Sequence, residues 1–203
     1  MYEAKFIIGA IAGSLAGVDN VGYLCDYPIY GQIAGINAFA LGVQMVNPRT
    51  KVYLEWSTVG GAEAAIRRLT DRNIRLISSR DLTRKGDRSW TSFGLSLISE
   101  KDRVILAAPV WQWGVYYEAM LRRIQDKSFQ TEYEESGKAL NYYWGMPSGV
   151  VALHCTDKVP PSTQKLAELL QNSIQADLYY PFRGKLYAQN GKVLEGDLTP
   201  EQI

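Results

Sequence analysis

The chain has 203 residues, room for one good-sized domain or two small lobes. Lys plus Arg number 22 against 21 for Asp plus Glu, a formal net charge of +1, and these charges are scattered, so no basic face marks a nucleic-acid binder. Cys25 and Cys155 stand far apart and His154 is the sole histidine, which excludes a disulfide framework and a two-histidine metal site within the chain.

From Glu3 to Leu15, apolar residues at Phe6, Ile7, Ala10, Ile11 and Leu15 predict an amphipathic helix. This opening has no basic n-region and no cleavage site of a signal peptide, and no apolar run reaches the roughly 18 residues of a membrane span. Gly9, Gly13 and Gly17 give the helix a smooth face for close approach of another backbone, with Gly17 as its stop. Val21 to Leu24 is a short strand, and Asp26-Tyr27-Pro28 turns the chain into a second helix. That helix has Ile33, Ile36, Phe39, Ala40, Val43 and Val46 on one face and ends at Asn47-Pro48.

Lys51 to Trp56 is the next strand. Ala62, Ala65, Ile66 and Leu69 line a short helix closed by Asn73, and Ile74 to Ser78 is a third strand. Strand, helix, strand, helix, strand with short connections specifies a parallel sheet with right-handed crossovers. A polar loop runs to Thr91, followed by strands at Phe93–Ile98 and Arg103–Ala108. Trp111 to Ile124 reads as a helix with Val115, Met120, Leu121 and Ile124 inside, and Gln125 to Lys138 as a polar stretch. After the strand Gly149–Leu153, Pro160-Pro161 opens a helix carrying Leu166, Leu169, Leu170 and Ile174. A hairpin over Lys185–Leu194 turns at Asn190-Gly191. Finally Thr199, Pro200 and Gln202 announce a helix just before the chain stops, the pattern of a piece of a longer protein.

Ligands of parallel α/β sheets sit beyond the carboxyl ends of the strands. Those ends deliver Asp26 and Tyr27, then Glu55, Trp56 and Ser57, then Ser79, Arg80 and Asp81, and finally Pro109, Trp111 and Trp113. The two tryptophans flank Gln112 and can form a flat slot for a planar ring, with Gln112 as a polar handle; the same pair also suits packing between two layers. Asp26, Glu55 and Asp81 are carboxylates without the spacing of an acid/base pair. No nucleophile elbow, phosphate loop or dinucleotide fingerprint is present, so no catalytic residue, cofactor or metal ligand is assigned.

Several runs together resemble the basic membrane protein family of solute-binding lipoproteins. They are Gly22-Tyr23-Leu24-Cys25-Asp26-Tyr27-Pro28-Ile29, Gly35 to Gly42, Val110 to Tyr117, Tyr143 to Val151, and Tyr180-Pro181-Phe182-Arg183-Gly184. The family serves ABC transporters, and several members bind purine nucleosides. The resemblance implies an α/β, type I periplasmic-binding-protein-like fold of parallel sheets flanked by helices, in two lobes with the first incomplete. Residues 1–17 and 104–150 would belong to that first lobe, 18–103 to the second, and 151–203 to a segment crossing between them. It further implies an extracytoplasmic protein with an ABC permease as partner and a lipid anchor outside this chain.

The family's aspartate after the fourth strand has no match, since Ser99-Glu100 stands there, and Leu82 to Ser92 is short and charged where many relatives are longer. A nucleoside or related planar solute is the expected ligand. A ligand-sensing regulatory domain with the same clamp is the second reading, and an enzyme acting on nucleosides the third. The uncovered apolar surface of an incomplete lobe predicts self-association.

Overall fold

A computed structural model describes residues 1–29, 31–79, 94–99, 102–136, 144–199 and 202. In chain order its elements are α1 (Tyr2–Ala16), β1 (Val21–Cys25), α2 (Gln32–Val46), β2 (Val52–Trp56), α3 (Ala62–Asp71) and β3 (Leu76–Ser78). There follow β4 (Leu95–Ile98), β5 (Arg103–Trp111), α4 (Trp113–Gln125), α5 (Ser128–Ser136), β6 (Val151–Cys155), α6 (Pro161–Gln175), β7 (Leu186–Tyr187) and β8 (Val193–Leu194).

Six strands form one sheet in the order β2-β1-β3-β4-β5-β6, and β7 pairs with β8 in the expected hairpin. β1 is parallel to β2 and β3, as the short helical crossovers require. The other half of the sheet departs from the all-parallel expectation: β3 with β4, β4 with β5, and β5 with β6 are antiparallel. Among the described residues no helix lies between β4 and β5. Two reversals restore direction. β5 therefore runs with β1, β2 and β3, and the C-terminal ends of all four lie along one edge.

β1 is buried on both faces. Val21, Tyr23 and Cys25 join the large core beneath α1, α2 and α6, while Leu24 joins the smaller cluster of Ala65, Leu69, Ile74 and Ile77 under α3. α1 is not the amphipathic surface helix its pattern predicts. Every residue from Glu3 to Gly13 is buried, the signature of a helix enclosed on all sides.

Its glycines explain how. A Cβ on Gly13 would stand 2.8 Å from the Val43 carbonyl oxygen, and Cβ atoms on Gly9 and Gly42 would collide with the carbonyls of Phe39 and Phe6. The two helices thus touch backbone to backbone, and the inner face of α2 is Ala34, Gly35, Ala38, Phe39, Gly42 and Val43. Ile33, expected on that face, is exposed. Gly17, with φ of 60°, ends α1 as foreseen.

α1 packs chiefly on α2, against α6, and beneath β1 and β3. It also touches β5 and β6. The C-terminal segment reaches the same helix through Phe6–Tyr179 and Tyr2–Phe182 ring contacts, both at 5.3 Å.

β5 is longer than predicted: Leu95 pairs with Ala107 near its middle, and Ala107 to Trp111 pair with β6. Beyond it, α4 buries no residue, and Leu121 and Ile124, expected inside, are exposed. α5 was missed because its residues, Ser128 to Ser136, carry no buried apolar side. In α6 the inner face is Thr163, Ala167, Leu170 and Ile174, while Leu169 points outward. His154, on β6, is exposed and serves no core role.

The glycine contact yields a measurable expectation. Gly9→Ala and Gly42→Ala should each lower the unfolding free energy by at least about 1–3 kcal/mol, since backbone cannot yield to the new methyl group. Gly114→Ala on α4, where nothing lies within 4 Å of the new atom, should instead raise it by about 0.5–1 kcal/mol. Urea titrations of the three variants would check both signs.

Candidate functional site

The shared C-terminal edge of β1, β2, β3 and β5 carries the candidate site. At the corner where β1 meets β2, Cys25 is buried, Asp26 is half-buried and Tyr27 is exposed. The Ser57 amide donates to the Cys25 carbonyl at 2.8 Å, extending the β1–β2 ladder by one bond. The Ser57 hydroxyl then donates to Asp26 Oδ1, which fixes the carboxylate against the end of β2. Trp56 is half-buried and packs against the main core. Glu55 is occupied on the other side, accepting from Arg68 Nε at 2.7 Å, and Arg68 also donates to the carbonyls of Trp56 and Val59. These bonds hold the turn after β2.

Ser79, one residue past β3, is fixed by three groups. Its amide donates to Gly94 at 2.7 Å, its carbonyl accepts from Lys5 Nζ at 2.8 Å, and its hydroxyl accepts from Arg103 Nη2. Arg103 Nε donates also to Ser96 Oγ at 3.0 Å. Arg80 and Asp81 lie outside the described residues.

Lys5 is the participant that the sequence pattern concealed. Its ammonium is fully buried, donates to Ser78 Oγ at 3.2 Å, and lies 5.0 Å from the Tyr23 ring centroid. Burying a charged group is costly unless hydrogen bonds satisfy it, and the end of β3 supplies them. Two charges inside an apolar helix, Glu3 and Lys5, were the available signal. Glu3 is likewise buried and accepts from the Met146 amide at 2.8 Å.

Trp111 ends β5 and Trp113 begins α4. Ala107, level with Ser78 through Leu95, lies four residues before Trp111, so the tryptophans project farther along the same edge. Their rings are 5.2 Å apart at 18°, stacked on each other. The space between them is thus filled, which corrects the expected slot, and their outer faces are what a ring can meet. Trp113 is 50% exposed and Trp111 38%. Tyr116 and Tyr117 stand against Trp113 at 6.0 and 6.3 Å and extend the aromatic surface. The structure therefore groups Asp26, Trp56, Ser57 and Ser79 at one corner and the tryptophans at another, on one edge.

A groove of about 440 Å³ lies at the opposite edge, between Leu15, Asp19, Arg75, Leu97 and Lys158. No predicted site residue lines it. Among the described residues no cluster of His, Cys, Asp and Glu is arranged to hold a metal ion, and no helix is long and apolar enough to cross a membrane.

No family model matches the chain. It is 28% identical over 201 residues to a purine-binding protein of Brucella abortus, covering 94% of this chain and 55% of that protein. It is 24% identical over 164 residues to a Haloferax volcanii protein named for glucose binding in an ABC transporter, covering 75% of this chain and 40% of the other. An ABC-transporter solute-binding protein of Conexibacter woesei has the same fold, with a TM-score of 0.59 at 16% identity over 88% of this chain and 62% of its own. The chain is similar in sequence and in fold to part of ABC-transporter solute-binding proteins. Its fold is periplasmic-binding-protein-like, in agreement with the motifs in the sequence, and it spans about half the length of the curated relatives it matches.

The two free thiols give a test of the site's local packing. Burial pushes the Cys25 thiol above its ordinary value, with the neighbouring Asp26 charge a lesser cause. Burial, then Glu168, pushes Cys155 up to about 11. Both shifts disfavour the thiolate, so alkylation should be slower in the native chain than in the unfolded chain at both cysteines, and at least ~10-fold slower at Cys155. Mass-spectrometric counting of modified cysteines against pH measures this.

Proposed function

We propose that this chain captures a purine nucleoside or purine base for an ABC importer, and does so without chemical conversion. The observation that carries the reading is the placement of an anchored carboxylate and an exposed tryptophan pair on one strand-end edge. The similarity to a purine-binding protein supports it.

The ring would stack on the outer face of the Trp111–Trp113 pair. Asp26, with Ser57 holding one oxygen, would accept hydrogen bonds from an amine or a ribose hydroxyl. Tyr27, Trp56 and Ser79, with Arg80 and Asp81 next in the chain, would complete the polar side. Residues 1–17 and 104–150 would form part of one lobe and 18–103 the other, with 151–203 crossing between them. Closure would follow from tighter binding of ligand to the closed state. On this reading the protein works outside the cytoplasm and hands its solute to a permease.

Isothermal titration with purine nucleosides, purine bases and glucose tests it. Saturable binding of a purine is expected. Trp113→Ala should weaken that binding by about 1–3 kcal/mol, the usual worth of base–aromatic stacking, and Asp26→Asn should weaken a nucleoside with a free amine or ribose. If glucose binds and no purine does, the stacking site is wrong.

A further inference from the structure

The end of the sheet away from Asp26 and the tryptophans is incompletely covered. Leu76, at the start of β3, lies in the main core, and Leu97 of β4 is its cross-strand neighbour, so the two side chains share the face that α1 covers. Leu97 is nonetheless 46% exposed. α1 stops at Ala16 and α6 starts at Pro161, and the space between these two helix ends is the groove of about 440 Å³. Its floor is Leu15, Leu76, Leu97 and Leu106, and its charged residues are Asp19, Arg75 and Lys158.

Arg75 is half-buried, and its guanidinium makes no hydrogen bond or ion pair among the described residues, although Asp19 lines the same groove. A partly desolvated charge over leucines is costly when left unpaired. It is also the kind of fixed polar group by which an apolar cavity of this size orients a small molecule. We propose that the groove is a second small-molecule site, which takes an aliphatic chain ending in one carboxylate. The chain lies on the leucines, and the carboxylate accepts from Arg75, whose planar fork matches its two oxygens.

Charge decides between head groups. Lys158 is paired with Asp157 at 3.5 Å, and Asp19 repels a second negative charge, so the groove suits a monoanion better than a phosphate dianion. Asp19 is exposed, where an ion pair contributes little, so an ammonium head gains less there than a carboxylate gains at Arg75. The groove lies at the opposite end of β1 and β3 from the candidate site, so a lobe closing over that site would leave it open.

Isothermal titration of the 203-residue chain with octanoate, octanol and octylamine tests the proposal. Octanoate should bind saturably, one to one, and at least ~10-fold more tightly than the alcohol or the amine. Arg75→Gln should weaken octanoate binding at least ~10-fold while leaving the circular dichroism spectrum unchanged. Leu97→Asp, which sets a negative charge on the exposed part of the floor, should weaken it as well. A chain that binds no octanoate overturns the proposal, as does octanoate binding indifferent to Arg75→Gln. Octanol binding as tightly as octanoate overturns it in favour of an unselective apolar surface, and octylamine binding more tightly overturns it in favour of Asp19. Octanoate binding lost in Trp113→Ala places the ligand on the exposed aromatics and overturns it too. Purine titrations read the other edge, so this inference and the ligand reading fail separately.

Discussion

The backbone-to-backbone contact between α1 and α2 is the constraint on which the other features depend. Helices normally stand 8–10 Å apart because side chains keep them so. Here Gly9, Gly13 and Gly42 remove those side chains at the crossing, and carbonyl oxygens of Phe6, Phe39 and Val43 occupy the space. α1 is drawn so deep that its whole circumference meets protein: α2 on one side, α6 on another, and β1 and β3 beneath. Hydrophobic burial then acts on a full cylinder instead of a stripe.

That depth has an electrostatic consequence. A helix enclosed on all sides has no solvent face for its charged residues, so Glu3 and Lys5 must be satisfied inside. Glu3 takes the Met146 amide, and Lys5 takes Ser78 and the Ser79 carbonyl. The bonds that make α1 tolerable in the core thereby also fix the end of β3, where Ser79 stands at the candidate site. Arg103 reaches the same serine from β5. Site and core share one polar network, with α1 as their common member.

The antiparallel half of the sheet does a different task. By reversing twice, it returns β5 to the direction of β1 and sends it past the level of β3, so its terminal tryptophans join the edge that carries Asp26. The register shift between Leu95 and Ser96 lies within this half, beside Gly94, whose φ is 62°. There a Cβ would strike the Ala107 carbonyl, so glycine is the residue that lets β4 approach β5 this closely. Past that level the chain leaves the shared core, which is why α4 keeps an apolar stripe in solvent.

Local chemistry determined much of this before folding. The short strand β1, the Asn47-Pro48 and Asn73 stops, the Asn190-Gly191 hairpin and the glycine face of α1 each follow from the residues present, because period, φ preference and side-chain size act over a few positions. The chain positions of Asp26, Ser79 and the tryptophans at strand ends were legible for the same reason. Tertiary structure decided the rest. Whether Leu121 faces core or water, whether Trp111 and Trp113 open a slot or close on each other, and whether Lys5 is a surface charge or a buried donor depend on what another segment places opposite. Such contacts join residues distant in sequence, as Lys5 joins Ser79, and no local pattern records them.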